Sequence, residues 1–183
     1  NKVLYLKGSE GTIVDISTTA ASSKGGTLQL GKILCNDNTA PVGVRIDPGT
    51  EGILTLGGSI GEVSKTLFSC QIGKTSAYQS FSLQNIYTSG DISIYPPAYL
   101  SAATTLSSSA GYFFSSSGIS SPVPYDLTIS AAKDVDLAGD LGSSSDPLQS
   151  ITFSGLNYFI SSVYTNNTPI NLGSSPIILR KDI

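Results

Sequence analysis

Carboxylates are the side chains of this sequence best suited to chemistry, because it has 13 Asp and Glu residues and no histidine. Four of them cluster in one stretch: Asp134, Asp136, Asp140 and Asp146. Asp134 and Asp136 are two residues apart, so on a strand they share one face while their apolar neighbours take the other. With Asp140 as a loop carboxylate they would offer the oxygen ligands that Ca²⁺ takes. A solvated outer face explains the same pattern, and we predict no metal ion or other cofactor.

The sequence lacks the motifs of the common catalytic machineries. A serine nucleophile needs a histidine base, which is absent, and no nucleophile elbow, P-loop or dinucleotide fingerprint occurs. A glycosidase needs two carboxylates across a cleft, and a sequence does not show which acidic residues face one another. We therefore predict a protein that is not an enzyme. The alternative is a protein that binds or cleaves carbohydrate, with Tyr95, Tyr99 and Tyr112 as platforms for sugar rings.

The two cysteines, Cys35 and Cys70, each lie in or beside an apolar, strand-like segment. An even number of cysteines in an exported chain favours a disulfide bond between them. Two buried free thiols are the alternative, since cysteine also packs as a small apolar residue. A metal site built on these cysteines is not expected, because the sequence has neither histidine nor a CxxC motif.

Composition restricts the classes of partner. Only 13% of the 183 residues are charged and the net charge is −3. The sequence therefore lacks the excess of basic residues that is typical of nucleic-acid-binding proteins. No apolar run approaches the roughly 18 residues of a transmembrane helix. The sequence begins at Asn1 and has no methionine, so we predict an export signal that has been removed and an extracellular protein at the cell surface.

An internal repeat describes how the chain is organised. Residues 54–72 read LTLGGSIGEVSKTLFSCQI and residues 135–153 read VDLAGDLGSSSDPLQSITF, with Leu, Gly and Ser recurring at matched positions. After each copy comes a shorter echo, IYT at residues 86–88 and VYT at residues 163–165. The repeated unit reads as strand, glycine-containing turn, polar loop and strand, which indicates duplication of a structural unit.

Strand signals occur along the whole chain and helix signals are nearly absent. Alternating apolar residues such as Ile92 and Ile94 mark short strands, and Gly, Pro and Asn separate them. We predict one all-β domain over residues 1–183, built as a two-sheet, jelly-roll-like β-sandwich with a duplicated hairpin unit. The alternative is a right-handed parallel β-helix.

The stretch DLTISAAKDVDLAGDLGSSSDPLQSITFSG, residues 126–155, resembles the repeats of large exported bacterial adhesins of the filamentous-haemagglutinin type. The resemblance rests on one line of residues: Leu137, Gly139, Gly142, Pro147, Leu148 and Ser150. A second stretch, SGDISIYP at residues 89–96, is similar in character. The resemblance implies a secreted, non-catalytic surface protein and, for that family, a right-handed β-helix.

Two segments are candidates for contacts between copies of the chain. The first is the strand-like N-terminus, residues 1–8, which contains Val3, Leu4, Tyr5 and Leu6 and would complete a sheet of a neighbouring subunit by strand exchange. The second is Tyr112, Phe113 and Phe114, within the uncharged segment 101–124. A plain surface loop with one short strand is the other interpretation of that segment. Asn166 begins the sequence's N-glycosylation sequon.

Taken together, these features predict a non-catalytic extracellular structural protein. We expect a subunit of a cell-surface filament, pilus or adhesin fibre that assembles through β-strand contacts with copies of itself. Glycans of a host or neighbouring cell are the second class of partner, and neither nucleic acid nor a membrane span is expected. Besides the carbohydrate-related alternative, a capsid-like shell subunit fits the same composition.

Overall fold

A computed structural model describes residues 2–19, 24–37, 39–74 and 79–180. In these residues the chain forms short strands and turns and no helix. The strands are, in chain order, β1 (Val3–Leu6), β2 (Ile13–Ser17), β3 (Leu28–Leu30), β4 (Lys32–Cys35), β5 (Gly43–Asp47), β6 (Leu54–Leu56), β7 (Cys70–Ile72), β8 (Phe81–Leu83), β9 (Ile86–Thr88), β10 (Ile92–Ile94), β11 (Ala98–Leu100), β12 (Thr104–Ser108), β13 (Phe113–Ser115), β14 (Ile119–Ser120), β15 (Asp126–Ala131), β16 (Val135–Leu137), β17 (Ser150–Ser154), β18 (Tyr158–Ile160), β19 (Ile170–Asn171) and β20 (Ile177–Leu179).

The strands build a parallel β-solenoid with three sheets around one core. Sheet 1 has eight strands in the order β2-β5-β7-β10-β13-β16-β18-β20. Sheet 2 runs from β1 and β4 through the bridging residue Ile60 to β9, β12, β15, β17 and β19. Sheet 3 contains β3 and β6, then β8, β11 and β14, and continues through bridges at Leu141 and Val163. Each circuit of the chain therefore adds one level to all three sheets.

The predicted β-sandwich is wrong, and the parallel solenoid of the alternative is observed. Every ladder between the named strands is parallel, as between β10 and β13, where Ile92 lies beside Phe113. Strands that follow one another in the chain do not pair as hairpins; each pairs with a strand one circuit away. Alternating apolar residues reveal which side of a strand is buried, but both parallel and antiparallel sheets use that alternation.

The core consists of columns of inward side chains. Most strands of the middle circuits are three residues long, with the first and third side chains buried and the second outside. In sheet 1 the first inward positions form one such column: Val44, Cys70, Ile92, Phe113, Val135 and Tyr158, all at most 2% exposed. Apolar side chains that stack at every level remove a continuous surface from water, which holds successive circuits together.

Buried hydroxyl groups allow the chain to turn sharply between sheets. Ser108 donates a hydrogen bond from Oγ to the carbonyl of Gly90 at 2.6 Å and accepts one from the backbone N–H of Gly111 at 2.9 Å. Thr88 donates to the same Gly90 carbonyl at 2.6 Å. Backbone groups at a buried corner have no ladder partner, so these hydroxyls satisfy them in place of water.

Each copy of the sequence repeat contains a segment that leaves a sheet of the coil and returns to it, and we call this segment an excursion. In the first copy, Ile60 pairs with Ile86 and Leu67 pairs with Thr88, so residues 61–66 leave the sheet and return to it two positions further along. The echo at residues 86–88 is the strand directly above this excursion. The repeated unit is therefore a part of a parallel coil in which one strand is interrupted by an excursion. The prediction of a duplicated hairpin is wrong.

The second copy repeats this local structure on another face of the solenoid. Leu141 pairs with Val163 and Leu148 pairs with Thr165, and residues 142–147 form the excursion. The first copy interrupts sheet 2, whereas the second interrupts sheet 3. The two copies thus match residue by residue but are offset by one face of the coil.

The uncharged segment 101–124 is part of the regular structure. It forms β12, β13 and β14, one strand in each sheet, where a surface loop with one short strand was the simpler expectation. Its serine and threonine residues supply buried corner hydroxyls such as Ser108 and Ser115. None of the described residues belongs to a helix that would span a membrane.

Candidate functional site

A shallow groove on the outer surface of sheet 1 brings together arginine, glutamine, aspartate, serine and tyrosine side chains. Its volume is about 180 Å³. It is lined by Ile13, Val44, Arg45, Ser69, Cys70, Gln71, Asp91, Ser93 and Tyr112. We call this feature the sheet 1 groove. The lining comes from successive circuits: Arg45 of β5, Gln71 of β7 and Ser93 of β10 lie beside one another across the parallel ladder, and Tyr112 lies just before β13.

A row of hydrogen bonds fixes one side of the sheet 1 groove. Arg45 donates from Nη1 to Oδ1 of Asp15 at 3.1 Å and from Nε to Oε1 of Gln71 at 3.4 Å. The Gln71 amide donates in turn to the carbonyl of Gly73 at 2.9 Å. An exposed ion pair of this kind contributes about 0–1 kcal/mol to stability. The row therefore matters mainly for presenting a guanidinium and an amide in defined orientations.

Tyr112 forms the opposite wall of the sheet 1 groove. Its backbone N–H donates to Oδ1 of Asp91 at 3.1 Å, and its side chain is partly exposed. Partial desolvation raises the pKa of the Tyr112 phenol, the negative charge of Asp91 and the nearby Tyr95 raise it further, and a hydrogen bond with Ser93 opposes these effects. The phenol is thus held in its protonated form, able both to donate and to accept hydrogen bonds.

Further aromatic rings continue from the sheet 1 groove along the same outer surface. The rings of Tyr95 and Phe114 meet edge to face with centroids 5.5 Å apart, an arrangement that aromatic pairs favour. Phe159 occupies the corresponding outward position of β18, two levels from Phe114, and Asp136 of β16 lies between them. Sugar rings have apolar C–H faces and hydroxyl edges, so a row of rings beside hydrogen-bonding groups presents complementary chemistry to them.

The sheet 1 groove does not carry the carboxylate pair of a glycosidase. Among its lining residues, all within the described part of the chain, Asp91 is the one carboxylate. A retaining or inverting glycosidase places two carboxyl groups about 5–9.5 Å apart on either side of the scissile bond. The arrangement is suited to binding, with Asp91 and Gln71 as acceptors and Arg45 as donor.

The three aspartates considered as calcium ligands do not converge on one point. Asp134 and Asp136 do share the outer side of sheet 1, as the alternation predicts. However, Asp134 accepts a hydrogen bond from the Asn157 amide at 2.6 Å, and Asp136 forms an ion pair with Arg180. Asp140 lies beyond the end of the strand, on the way to sheet 3. Within the described residues no group of three metal-binding side chains converges.

The predicted disulfide bond is absent. Cys35 and Cys70 are both free, buried thiols, the first in sheet 2 and the second in sheet 1. The Cys35 thiol contacts the carbonyls of Asp37 and Ala40 at 3.0 and 3.8 Å, whereas Cys70 takes its place in the apolar column beneath the sheet 1 groove. The rule that an even number of cysteines in an exported chain favours a disulfide bond does not consider which face of the coil each cysteine occupies.

Burial raises the pKa of the Cys70 thiol from 9.0 to about 12, which predicts loss of stability at alkaline pH. Because the raised pKa belongs to the folded state, its contribution is complete below pH 9.0 and is lost as pH rises towards 12. The free energy of unfolding should fall by about 1.4 kcal/mol per pH unit over that interval from this group alone. Urea unfolding of the wild type and of Cys70→Ala measures it: the stability gap between them should narrow with rising pH, and a constant gap would contradict the assignment.

The candidate assembly residues fall into exposed and buried groups. Val3, Leu4 and Tyr5 are exposed on β1, which pairs with β4 of its own chain. Tyr112 is also exposed and Phe114 is half-buried, but Leu6 is 4% and Phe113 0% exposed. Leu6 and Phe113 are therefore core residues, a correction that follows from the alternation of side chains along each strand.

The remaining predicted sites occupy separate surfaces. Asn166 of the sequon is exposed beside the turn at Asn167, whose φ is 56°. Of the three tyrosines proposed as sugar platforms, Tyr95 and Tyr112 come together on sheet 1, whereas Tyr99 lies on the outer side of sheet 3. Sequence reasoning missed Arg45, Gln71 and Ser93. The signal that would have found them is their separation by about one circuit each, 26 residues between Arg45 and Gln71.

Comparisons with models of protein families, with curated proteins and with solved structures find no match for this chain.

Proposed function

We propose that this chain is a non-catalytic, extracellular carbohydrate-binding β-solenoid that holds a glycan along the outer surface of sheet 1. The observation that carries the proposal is the sheet 1 groove, in which Arg45, Gln71 and Asp91 face the exposed ring of Tyr112. A few oriented polar groups beside an aromatic wall provide affinity and direction together. The glycans of a neighbouring or host cell are the class of ligand that we expect.

A surface groove on a solenoid suits a polymeric ligand better than a small molecule. Its volume of about 180 Å³ lies below that of enclosed ligand pockets, which are roughly 300–1,000 Å³. Tyr95 and Phe114 extend the aromatic surface past the groove along the solenoid axis, and Phe159 lies two levels beyond Phe114, with Asp136 between them. A chain of sugar units would therefore contact several levels of the sheet. The low charge of the sequence and its resemblance to exported adhesin repeats support an extracellular setting.

Replacing Tyr112 by alanine is expected to weaken glycan binding by about tenfold or more, equivalent to about 1.4 kcal/mol. The substitution removes the aromatic wall, whereas Tyr112→Phe keeps the ring and loses only the hydroxyl. A glycan array would identify ligands, and titration calorimetry would then compare the variants. Tyr99→Ala, on sheet 3, is the matched control and should bind like the wild type. Equal affinities for Tyr112→Ala and Tyr99→Ala would contradict the assignment to the groove.

Binding and cleavage are separated by a second measurement on the same glycans. Wild-type protein should release no reducing sugar from a glycan that it binds, and Asp91→Asn should alter affinity alone. Release of reducing ends by the wild type that Asp91→Asn abolishes would replace the binding proposal with a catalytic one.

A further inference from the structure

A recess at the corner where the chain passes from sheet 2 to sheet 1 adjoins the sheet 1 groove. Its volume is about 520 Å³, which lies within the range of small-molecule sites, roughly 300–1,000 Å³. Ile13, Ser69 and Asp91 line both features, so the two are continuous. We call this feature the corner recess. Apart from Ile13, its lining residues belong to internal circuits, each with a further circuit on either side.

Two glycines create the corner recess. When the register of sheet 1 is extended to two positions before each strand, Phe68, Gly90, Gly111 and Lys133 lie at successive levels. Backbone hydrogen bonds follow this order, from the Gly90 N–H to the Phe68 carbonyl at 2.6 Å and from the Lys133 N–H to the Gly111 carbonyl at 3.0 Å. At the strand spacing of a sheet, the backbones of Phe68 and Lys133 are about 14 Å apart. The glycines leave the space between these two side chains open.

Backbone packing keeps the corner recess open. A Cβ at Gly90 would lie 2.6 Å from the carbonyl oxygen of Phe68, and one at Gly111 would lie 2.4 Å from the carbonyl carbon of Gly90. Contacts this short do not fit a close-packed structure. Ala110, beside Gly111, is exposed and adds a methyl group to the lining. The floor of the recess is therefore backbone and one methyl group, with the Phe68 ring as one wall.

Two polar groups that line the corner recess have unused hydrogen-bonding capacity. Oδ1 of Asp91 accepts the backbone N–H of Tyr112 at 3.1 Å, and no residue in the described part of the chain donates to its Oδ2. Lys133 is exposed, and its ammonium group forms no ion pair with any described residue. An acceptor and a donor therefore lie at the edge of a recess whose floor and one wall are apolar.

We propose that the corner recess receives the N-acetyl group of an N-acetylated hexosamine unit, an inference that rests on the proposed glycan site in the sheet 1 groove. An acetamido group combines a methyl group, an N–H and a carbonyl oxygen. The methyl group packs against the Phe68 ring and Ala110. The N–H donates to Oδ2 of Asp91, and the carbonyl oxygen accepts a hydrogen bond from the Lys133 ammonium. The hydroxyl groups of the same sugar unit then lie towards the polar side chains of the sheet 1 groove.

Charge favours a neutral, amide-bearing sugar over an acidic or a basic one. A ligand carboxylate that paired with Lys133 would also meet the negative charge of Asp91, and a ligand ammonium that paired with Asp91 would meet Lys133. An amide donates and accepts hydrogen bonds without a net charge, so it satisfies both groups. A sugar with a hydroxyl group in place of the acetamido group leaves the Phe68 wall in water. The recess therefore discriminates by what the wrong sugar leaves unpaired.

Glycan pairs that differ only in the acetamido group test the inference. The probes are array glycans of equal linkage that end in N-acetylglucosamine or glucose, or in N-acetylgalactosamine or galactose, and titration calorimetry measures the pair that binds most tightly. The wild type should bind the N-acetylated member about tenfold or more tightly than the other. Ala110→Leu fills the recess and Lys133→Ala removes the donor, so each should lower this ratio towards one. Ala138→Leu, at an exposed alanine on the corner between sheets 1 and 3, is the matched control and should keep the wild-type ratio.

Tyr112→Ala separates this inference from the proposed function, because it should weaken both members of a pair and keep their ratio. If the wild type binds both members equally and Tyr112→Ala still weakens both, the inference is overturned and the glycan site in the groove stands. Binding of no glycan at all would overturn both. Tighter binding of a glucuronic acid or glucosamine member of equal linkage would assign the recess to a charged sugar and overturn the inference. Circular dichroism and melting temperatures verify folding, and the Lys133→Ala ratio decides if Ala110→Leu does not fold.

Discussion

Phe113→Ala is expected to lower the free energy of unfolding by about 3–5 kcal/mol, while Phe114→Ala should cost about 0.5–1.5 kcal/mol. Phe113 is 0% exposed and fills the sheet 1 column between Ile92 and Val135. Truncating it loses apolar burial and leaves a cavity between two levels of a rigid sheet. Phe114, one residue later, lies outside and loses mainly its contact with the Tyr95 ring.

Urea unfolding followed by circular dichroism measures both variants under one set of conditions. The pair is a matched control in itself, since the same side chain is truncated at adjacent positions. Equal losses for the two variants would contradict the inward and outward assignment of β13. The comparison requires cooperative unfolding, and repeat structures can unfold in parts. A second probe such as tyrosine fluorescence tests this, because cooperative unfolding gives the same midpoint with both probes.

These two phenylalanines show what the sequence did and did not encode about surface contacts. Both were expected at a contact between copies, because the segment around them is uncharged. The period of two along a strand requires that adjacent side chains point to opposite sides. The sequence does not reveal which of the two is inside, because both are large and apolar. Their neighbours resolve it: Tyr112 and Phe114 flank the buried residue on the same outer surface.

Strand positions were easier to predict than strand partners. The N-terminal segment predicted to be strand-like contains the strand Val3–Leu6, and the alternation at Ile92 and Ile94 marks inward positions. The expected sandwich failed because hydrogen-bond partners in a solenoid lie one circuit away in sequence. Circuits also differ in length, with 30 residues separating Asp15 from Arg45 and 21 separating Asp91 from Tyr112. That variation hides the period that would have identified the coil.

The candidate site was harder to foresee than the fold. Its residues are single outward positions on successive strands, so no two of Arg45, Gln71 and Tyr112 belong to one motif. Each looks like an ordinary solvated residue in its own segment. Only the parallel register brings them together, 26 residues apart in one case. Tyr112 was identified for its ring, and its relation to Asp91 depends on the ladder between β10 and β13.

In the internal repeat, by contrast, the residue type itself indicates the backbone conformation that the structure requires, because glycine recurs where φ is positive. Gly61 and Gly142 occupy matched positions of the two copies, with φ of 74° and 71°. Each begins an excursion, and each donates a backbone hydrogen bond of 2.7 Å to the preceding circuit, Gly61 to Ile33 and Gly142 to Ile119. A Cβ at Gly61 would collide with the carbonyl oxygen of Tyr87, and one at Gly142 would lie 2.5 Å from that of Tyr164.

Gly61→Ala and Gly142→Ala are therefore each expected to destabilise the fold by more than the roughly 1–3 kcal/mol of a strained backbone conformation, since the collision adds to the strain. Gly57→Ala is the matched control: its Cβ would meet nothing closer than the Leu30 carbonyl at 3.5 Å, so the reduced freedom of the unfolded chain should leave stability unchanged or raised by about 0.4–1 kcal/mol. Melting temperatures and urea midpoints of the three variants decide the matter. If the melting temperature of Gly61→Ala equals that of Gly57→Ala, the turn at Gly61 tolerates a side chain and the expectation is contradicted. If Gly61→Ala and Gly142→Ala lower the melting temperature and the urea midpoint by similar amounts, the same turn was duplicated with its backbone geometry intact, although the two turns lie on different faces of the solenoid.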